Sequence, residues 1–190
     1  MNKIKRFFKK RKAEKEYNNY IYAHKNYIYK AFFEMVNCRD LEWIIQDPEI
    51  LNKLWDRAID HDESKFSKEE YDAYRKHFYG IDEEESSNEI EFKYAVDHHY
   101  AVNDHHWQHR VNWKDEDFDI NTELACLENI MNWLAVGYRV GNRPYEYYEK
   151  YKDIITLPAK QKQFMEKCIY QGIDKEIIIR RQEQENEISE

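Results

Sequence analysis

The chain is predicted to be all-α, a single-domain helical bundle, and three observations lead there. Four Gly and three Pro in 190 residues are too few for the turns of a many-stranded sheet. Charged residues make up 36% of the chain, with Lys and Glu abundant, and both suit exposed helix faces. The apolar residues recur at three- and four-residue spacing, the period of a helix with one buried face. A chain of this length buries a sizeable core in one unit. Sixteen Tyr and five Trp add large rings with a polar tip, suited to the edge of a helical core or to stacking on a base or sugar.

Residues 1–16 read as a basic extension of the first helix, 17–180 as the helical domain and 181–190 as a polar tail that frays. Residues 1–15 carry eight Lys/Arg against Glu14 alone, so the −8 of the whole chain conceals a remainder at −15. That acidic remainder argues against binding a nucleic acid, except through the basic stretch. There Ile4, Phe7 and Phe8 lie among lysines that could meet RNA or an anionic membrane. Otherwise the stretch is a solvated piece of helix.

From Tyr17 to about Cys38, Tyr20, Ile21, Tyr27, Ile28, Ala31 and Met35 form one stripe, with His24 in its middle facing inward. Asp47 is a good N-cap, Pro48 suits the first helical position and Glu49 complements the dipole. The inner face of that helix runs Leu51, Leu54, Ala58, His61, Lys65. Ser67 with Glu70 reads as a capping box for a helix ending at Gly80. The acidic stretch over 82–91 reads as a solvated loop running into the next cap. The following helix buries Phe92, Ala95, Val96 and His99 but not His98, then loosens near Asn103 and Asp104. Asp115, Asp117 and Asp119 lack the glycine of a calcium loop and read as a polar connection. A helix from about Thr122 to Val140 sets Leu124, Glu128, Met131, Ala135 and Tyr138 on one face, beside Asn132, and Gly141 ends it. Residues 145–151 and 158–170 form two closing helices.

Cys38, Cys126 and Cys168 are odd in number and far apart, which indicates neither a disulfide framework nor a thiolate zinc site and fits a reducing cytoplasm. No apolar run reaches the roughly 20 residues of a membrane span. Self-association is left open by the composition.

Chemistry concentrates in the histidines. His61 and Asp62 are adjacent, so both side chains leave the backbone within a short arc and offer two ligands to one cation, with His24 the natural third from another helix. Five of the eight histidines lie between His98 and His109, and His99, His105 and His106 could hold a second ion. His98 and His109 read as surface or supporting residues, His77 as a charge near its helix end, and Trp107 and Trp133 as core. A His and carboxylate set without thiolates suits Mn, Fe, Co, Ni or Zn.

His24, then His61-Asp62 with Lys65 three residues on, then the later histidines, resembles the HD-domain superfamily of metal-dependent phosphohydrolases. Its pattern is His, then His-Asp, then a later Asp, on a helical bundle. The resemblance implies an HD-domain-like fold, one or two divalent metals, and hydrolysis of a phosphomonoester or phosphodiester, with a nucleotide or related small phosphorylated molecule as substrate. Lys65 would stabilise charge on the phosphate, and His105, His106 or Glu128 would be ligands or move protons. The stretches HDESKF, HHYAVNDHHWQ, ENIMNW and YEYYEKYKDII look more narrowly like an uncharacterised bacterial and phage family, domain of unknown function 5662. Where that likeness calls for Asp before Trp133 this chain has Asn132. An amide oxygen neutralises no metal charge, so either Glu128 takes the anionic role or the protein is a noncatalytic binder of a nucleotide or partner.

Overall fold

A computed structural model describes residues 3–80 and 89–189 of the chain, and among them the secondary structure is helical with no strand. Helix α1 spans Lys3–Val36 and buries a stripe through Ala13, Tyr17, Ile21, Ile28, Ala31 and Met35. Short α2, Trp43–Gln46, leads into α3, Pro48–Asp60. As expected, the Asp47 carboxylate caps α3, accepting from the amides of Glu49 at 2.9 Å and Ile50 at 3.3 Å. Helices α4, Tyr71–Tyr79, α5, Glu89–Val102, and α6, Trp107–Arg110, follow. The expected loop over 82–91 lies outside the described residues as far as position 88, and Glu89 opens α5.

Helix α7, Ile120–Val140, is central: every residue from 124 to 135 is buried. It begins two residues before the expected start, because Asp119, read as connector, accepts from the Thr122 amide at 2.9 Å in a capping box. Gly141 ends it at φ 81, a left-handed conformation that glycine adopts without steric cost. The remaining helices are α8, Pro144–Tyr151, α9, Ala159–Cys168, and α10, Lys175–Ser189. Thus α10 continues through the tail expected to fray.

Two apolar clusters result. The larger joins α1, α3, α7, α8 and α9 through Ile28, Met35, Leu54, Leu127, Ile130, Met131, Tyr148 and Met165, with Trp133 buried in it and Trp107 packed against it. The smaller joins α1, α4 and α5 through Tyr17, Ile21, Tyr74 and Ala95. Both use α1, and the His/Asp cluster described below draws on α1, the end of α3, α5, the loop before α6, and α7.

Sequence periodicity misplaces two local features. The helix read through to Lys65 stops at Asp60, and Lys65 falls in a 3-10 turn, Glu63–Phe66. The Glu70 side chain does not cap α4; it turns to His98 and His99, and Ser67 Oγ has no hydrogen-bond partner.

A fully buried arginine ties the loop before α6 to the core. Arg110 donates to the carbonyls of Asp104 at 2.8 Å, His105 at 3.0 Å and Ala125 at 3.0 Å, to Asn129 Oδ1 at 2.9 Å and to Gln161 Oε1 at 3.0 Å. Each buried acceptor left unsatisfied costs roughly 1–3 kcal/mol. Arg110→Met is expected to lower stability by about 3 kcal/mol or more by that rule, read as an earlier urea midpoint; an unchanged midpoint would show that the loop is held by other contacts.

Candidate metal centre

The turn after α3 builds the centre. Asp62 has φ 57 and ψ 23, the one non-glycine residue in the left-handed region among the described residues. Asp tolerates that conformation better than most residues. The turn ends the helix and leaves His61 and Asp62 both buried, at 1% and 2% exposure.

Five imidazole Nε2 atoms gather here. His24 on α1 and His61 each place Nε2 3.6 Å from Asp62 Oδ2 and 3.3 Å from one another. On the opposite oxygen, Asp62 Oδ1, stand His99 Nε2 from α5 at 3.3 Å and His105 Nε2 at 3.5 Å. His106 Nε2 lies 2.9 Å from His99 Nε2. Two ligand atoms, each about 2.0–2.2 Å from a shared ion, stand about 2.8–3.6 Å apart for angles between 90° and tetrahedral. These separations fall in that range. Among the buried atoms with no hydrogen-bond partner are Asp62 Oδ1 and His105 Nε2, and such orphans ask for an explanation. A cation supplies one. The donors therefore fit two adjacent ion positions that share the Asp62 carboxylate: His24, His61 and Asp62 on one side, and Asp62, His99, His105 and His106 on the other.

The rings are held from behind. Glu128 Oε1, on α7, lies 2.7 Å from His61 Nδ1 and 3.0 Å from His105 Nδ1. A carboxylate only accepts, so both Nδ1 atoms carry the hydrogen and both Nε2 lone pairs face Asp62. Glu70 does the same for His99 at 2.9 Å and holds His98 Nδ1 at 2.8 Å. Arg57 donates to Glu128 Oε2 at 2.6 Å and also to Asp104. Lys65 donates to Asp62 Oδ2.

The predicted residues His24, His61, Asp62, Lys65, His99, His105 and His106 thus converge. Glu128 also joins them, with its carboxylate on the Nδ1 side of the rings. Asn132 is buried one turn further along α7 and its side chain makes no hydrogen bond to the described residues. His109 Nδ1 faces the Tyr100 carbonyl at 3.1 Å, and His77 stacks on Phe92 at 3.6 Å. Sequence reasoning missed Glu70 as an orienting group, because Ser67 and Glu70 have the spacing of a capping box. It also missed Arg57, which lies one turn before His61 and gives no local signal that it faces inward.

Burial sets the charge states. It lowers the His24 pKa from 6.5 to about 3, outweighing the nearby Asp62. His105 is lowered by burial and then by His61, and His106 by burial and then by His105 and His99. Burial alone would raise Asp62, yet Lys65 and the surrounding histidines hold it well below the usual carboxylate range. Burial likewise opposes ionisation of Glu128, and the His105 and His61 hydrogen bonds outweigh it. The neutral rings of His24, His105 and His106 beside an ionised carboxylate suit a cation.

These shifts fix a pH dependence for the metal-free protein. The unfolded chain takes up a proton at His24 as pH falls through 6.5, whereas the folded chain does so only near 3. Stability is therefore full above 6.5 and is lost as pH falls toward 3. The depressed Asp62 and Glu128 act in the same sense at the acid end. Melting temperature in chelator should fall across that window, and His24→Gln should flatten the upper part of the fall. A flat profile in the unsubstituted protein would contradict the burial of His24.

No curated protein and no solved structure matches the chain. The family model described as "Family of unknown function (DUF5662)" matches residues 13–171, a span that contains every residue of the centre and omits the most basic part of α1. The chain belongs to this family of unknown function.

Proposed function

We propose that this chain is an HD-like, metal-dependent phosphohydrolase that cleaves a phosphomonoester or phosphodiester of a nucleotide or related small molecule. One observation carries the reading: imidazole Nε2 atoms approach both oxygens of a single buried aspartate at the spacing of shared coordination. The order of His24, the His61-Asp62 doublet and the later histidines supports it through the resemblance. Charge supports it too. Asp62, Glu70, Glu128 and Asp104 face Lys65 and Arg57, so imidazole charges aside the centre is two negative charges in excess. Two divalent ions would leave it two positive, the complement of a phosphate dianion.

When bound, a divalent ion would acidify water to supply hydroxide near neutral pH and polarise a phosphoryl oxygen. The chain's own residues act around that chemistry. Glu128 and Glu70 hold the rings of His61, His105 and His99 with Nε2 inward, so no reorientation is needed as charge develops. Lys65, paired with Asp62 and 8% exposed, keeps a positive charge where the phosphate would lie. A narrow opening beside His24 is lined by Tyr20, Tyr27, Ala135 and Arg139. It shares Tyr20 and Arg139 with a cavity of about 330 Å³ that Phe78 and Tyr79 also line, a volume suited to a small ligand. The Arg139 guanidinium stands 5.2 Å over the Tyr20 ring, so one wall offers an aromatic face and a cation.

The buried amide of Asn132 favours a second reading, a noncatalytic binder that keeps the centre. Protein purified without chelator or metal-affinity resin separates the two. Elemental analysis should find a transition metal, and phosphate release from a panel of nucleotides should stop in chelator and return on adding one ion. Asp62→Asn should lower turnover by about a thousandfold or more, the several kcal/mol expected of the metal. Metal without turnover, with turnover appearing in Asn132→Asp, would favour the binder; turnover indifferent to chelator would defeat the mechanism. Arg139→Ala is expected to raise KM about tenfold with little change in kcat, as for loss of a charge-assisted contact formed equally in ground and transition states. A fall in kcat at unchanged KM would place Arg139 at the reacting phosphate instead.

A further inference from the structure

The leading end of α1 has no part in the centre. Residues 3–12 precede the first buried residue of the helix, Ala13, and lie outside the family match. At 100° per residue, Ile4, Phe7 and Phe8 share an arc of about 100° on one face, and lysines and Arg6 occupy the rest of the circumference. The three apolar side chains are 64%, 55% and 66% exposed. Arg11 falls inside the apolar arc, and its guanidinium lies over the Phe7 ring, 5.3 Å from the centroid.

A cationic helix with a narrow, bulky apolar face is the design of an interfacial helix. We propose that residues 3–12 bind the surface of an anionic phospholipid bilayer, with Ile4, Phe7 and Phe8 at the headgroup boundary. The flanking lysines meet the lipid charges, and Arg11 reaches outward along Phe7, as long cationic side chains do at such a boundary. Charge complementarity selects the surface. The stretch 1–15 holds eight Lys/Arg and one acid, while the acidic remainder is repelled by the same lipids and stands off. A single-stranded nucleic acid fits this face less well. The Phe7 and Phe8 rings meet edge-on at 75°, Arg11 covers one of them, and Ile4 has no π face, so no run of open rings is offered to successive bases.

Co-sedimentation of the full chain with phosphatidylcholine vesicles, with and without phosphatidylserine, tests the proposal. Binding is expected only with the anionic lipid, and it should be lost at high salt. Lys9→Glu/Lys10→Glu should weaken it by more than tenfold, at about fivefold per charge removed. Phe7→Ala/Phe8→Ala should weaken it comparably. Each variant alters exposed side chains outside the packed body, and unchanged circular dichroism and melting would confirm an intact fold. His61→Ala/Asp62→Ala should bind vesicles like the unsubstituted chain, so failure of the metal reading leaves this result unaffected. Absence of binding to anionic vesicles, or binding indifferent to Phe7 and Phe8, would overturn the proposal. So would capture of a single-stranded oligonucleotide in place of vesicles.

Discussion

Asp62 carries its charge almost entirely out of water, and the surrounding architecture compensates it. A buried carboxylate is costly unless charge and hydrogen bonds replace its hydration. Here Lys65 pairs with one oxygen, and four imidazoles from four parts of the chain ring the group. α1 brings His24 across the end of α3, α5 brings His99, and the loop leading to α6 brings His105. The larger apolar cluster and the smaller one position these elements, and the polar centre gives their arrangement a consequence.

That centre needs a rigid back wall, which α7 supplies. A helix buried on all sides would ordinarily be apolar throughout, yet α7 carries Glu128, Asn129 and Asn132 inside. Two of these have clear partners. Glu128 is compensated by Arg57 and two imidazoles, and Asn129 accepts from Arg110. Arg57 and Arg110 in turn hold Asp104 and the carbonyl of His105, so the histidine loop is fixed to α7 by side chains on both sides. Polar networks of this kind rigidify when every member is satisfied and are costly when one is lost.

Much of this was legible in the sequence wherever the signal was local. Periodicity gave the helices, Asp47 with Pro48 gave the start of α3, Gly141 gave the end of α7, and the stripe through His24 placed that residue inward. The candidate metal-binding cluster was legible from the adjacency of His61 and Asp62 and from the density of histidines after His98. The supporting residues were not. Glu70 lies 28 and 29 residues from its two partners, Arg57 lies 71 from Glu128, and Arg110 lies 51 from Gln161. No period or spacing encodes such meetings. The left-handed turn at Asp62 was also hidden, because an aspartate after a histidine at a helix end is compatible with one more helical turn.

One oxygen of Glu128 receives the hydrogen of both His61 and His105, and the two rings lie side by side, tilted by 33° with centroids 4.3 Å apart. The pair therefore behaves as one part. A displacement of Glu128 turns both rings together, and so reaches both sides of Asp62 at once. Under a two-ion reading, the first ion to arrive would stiffen the ring that serves the second position, which would offset part of the repulsion between the two ions.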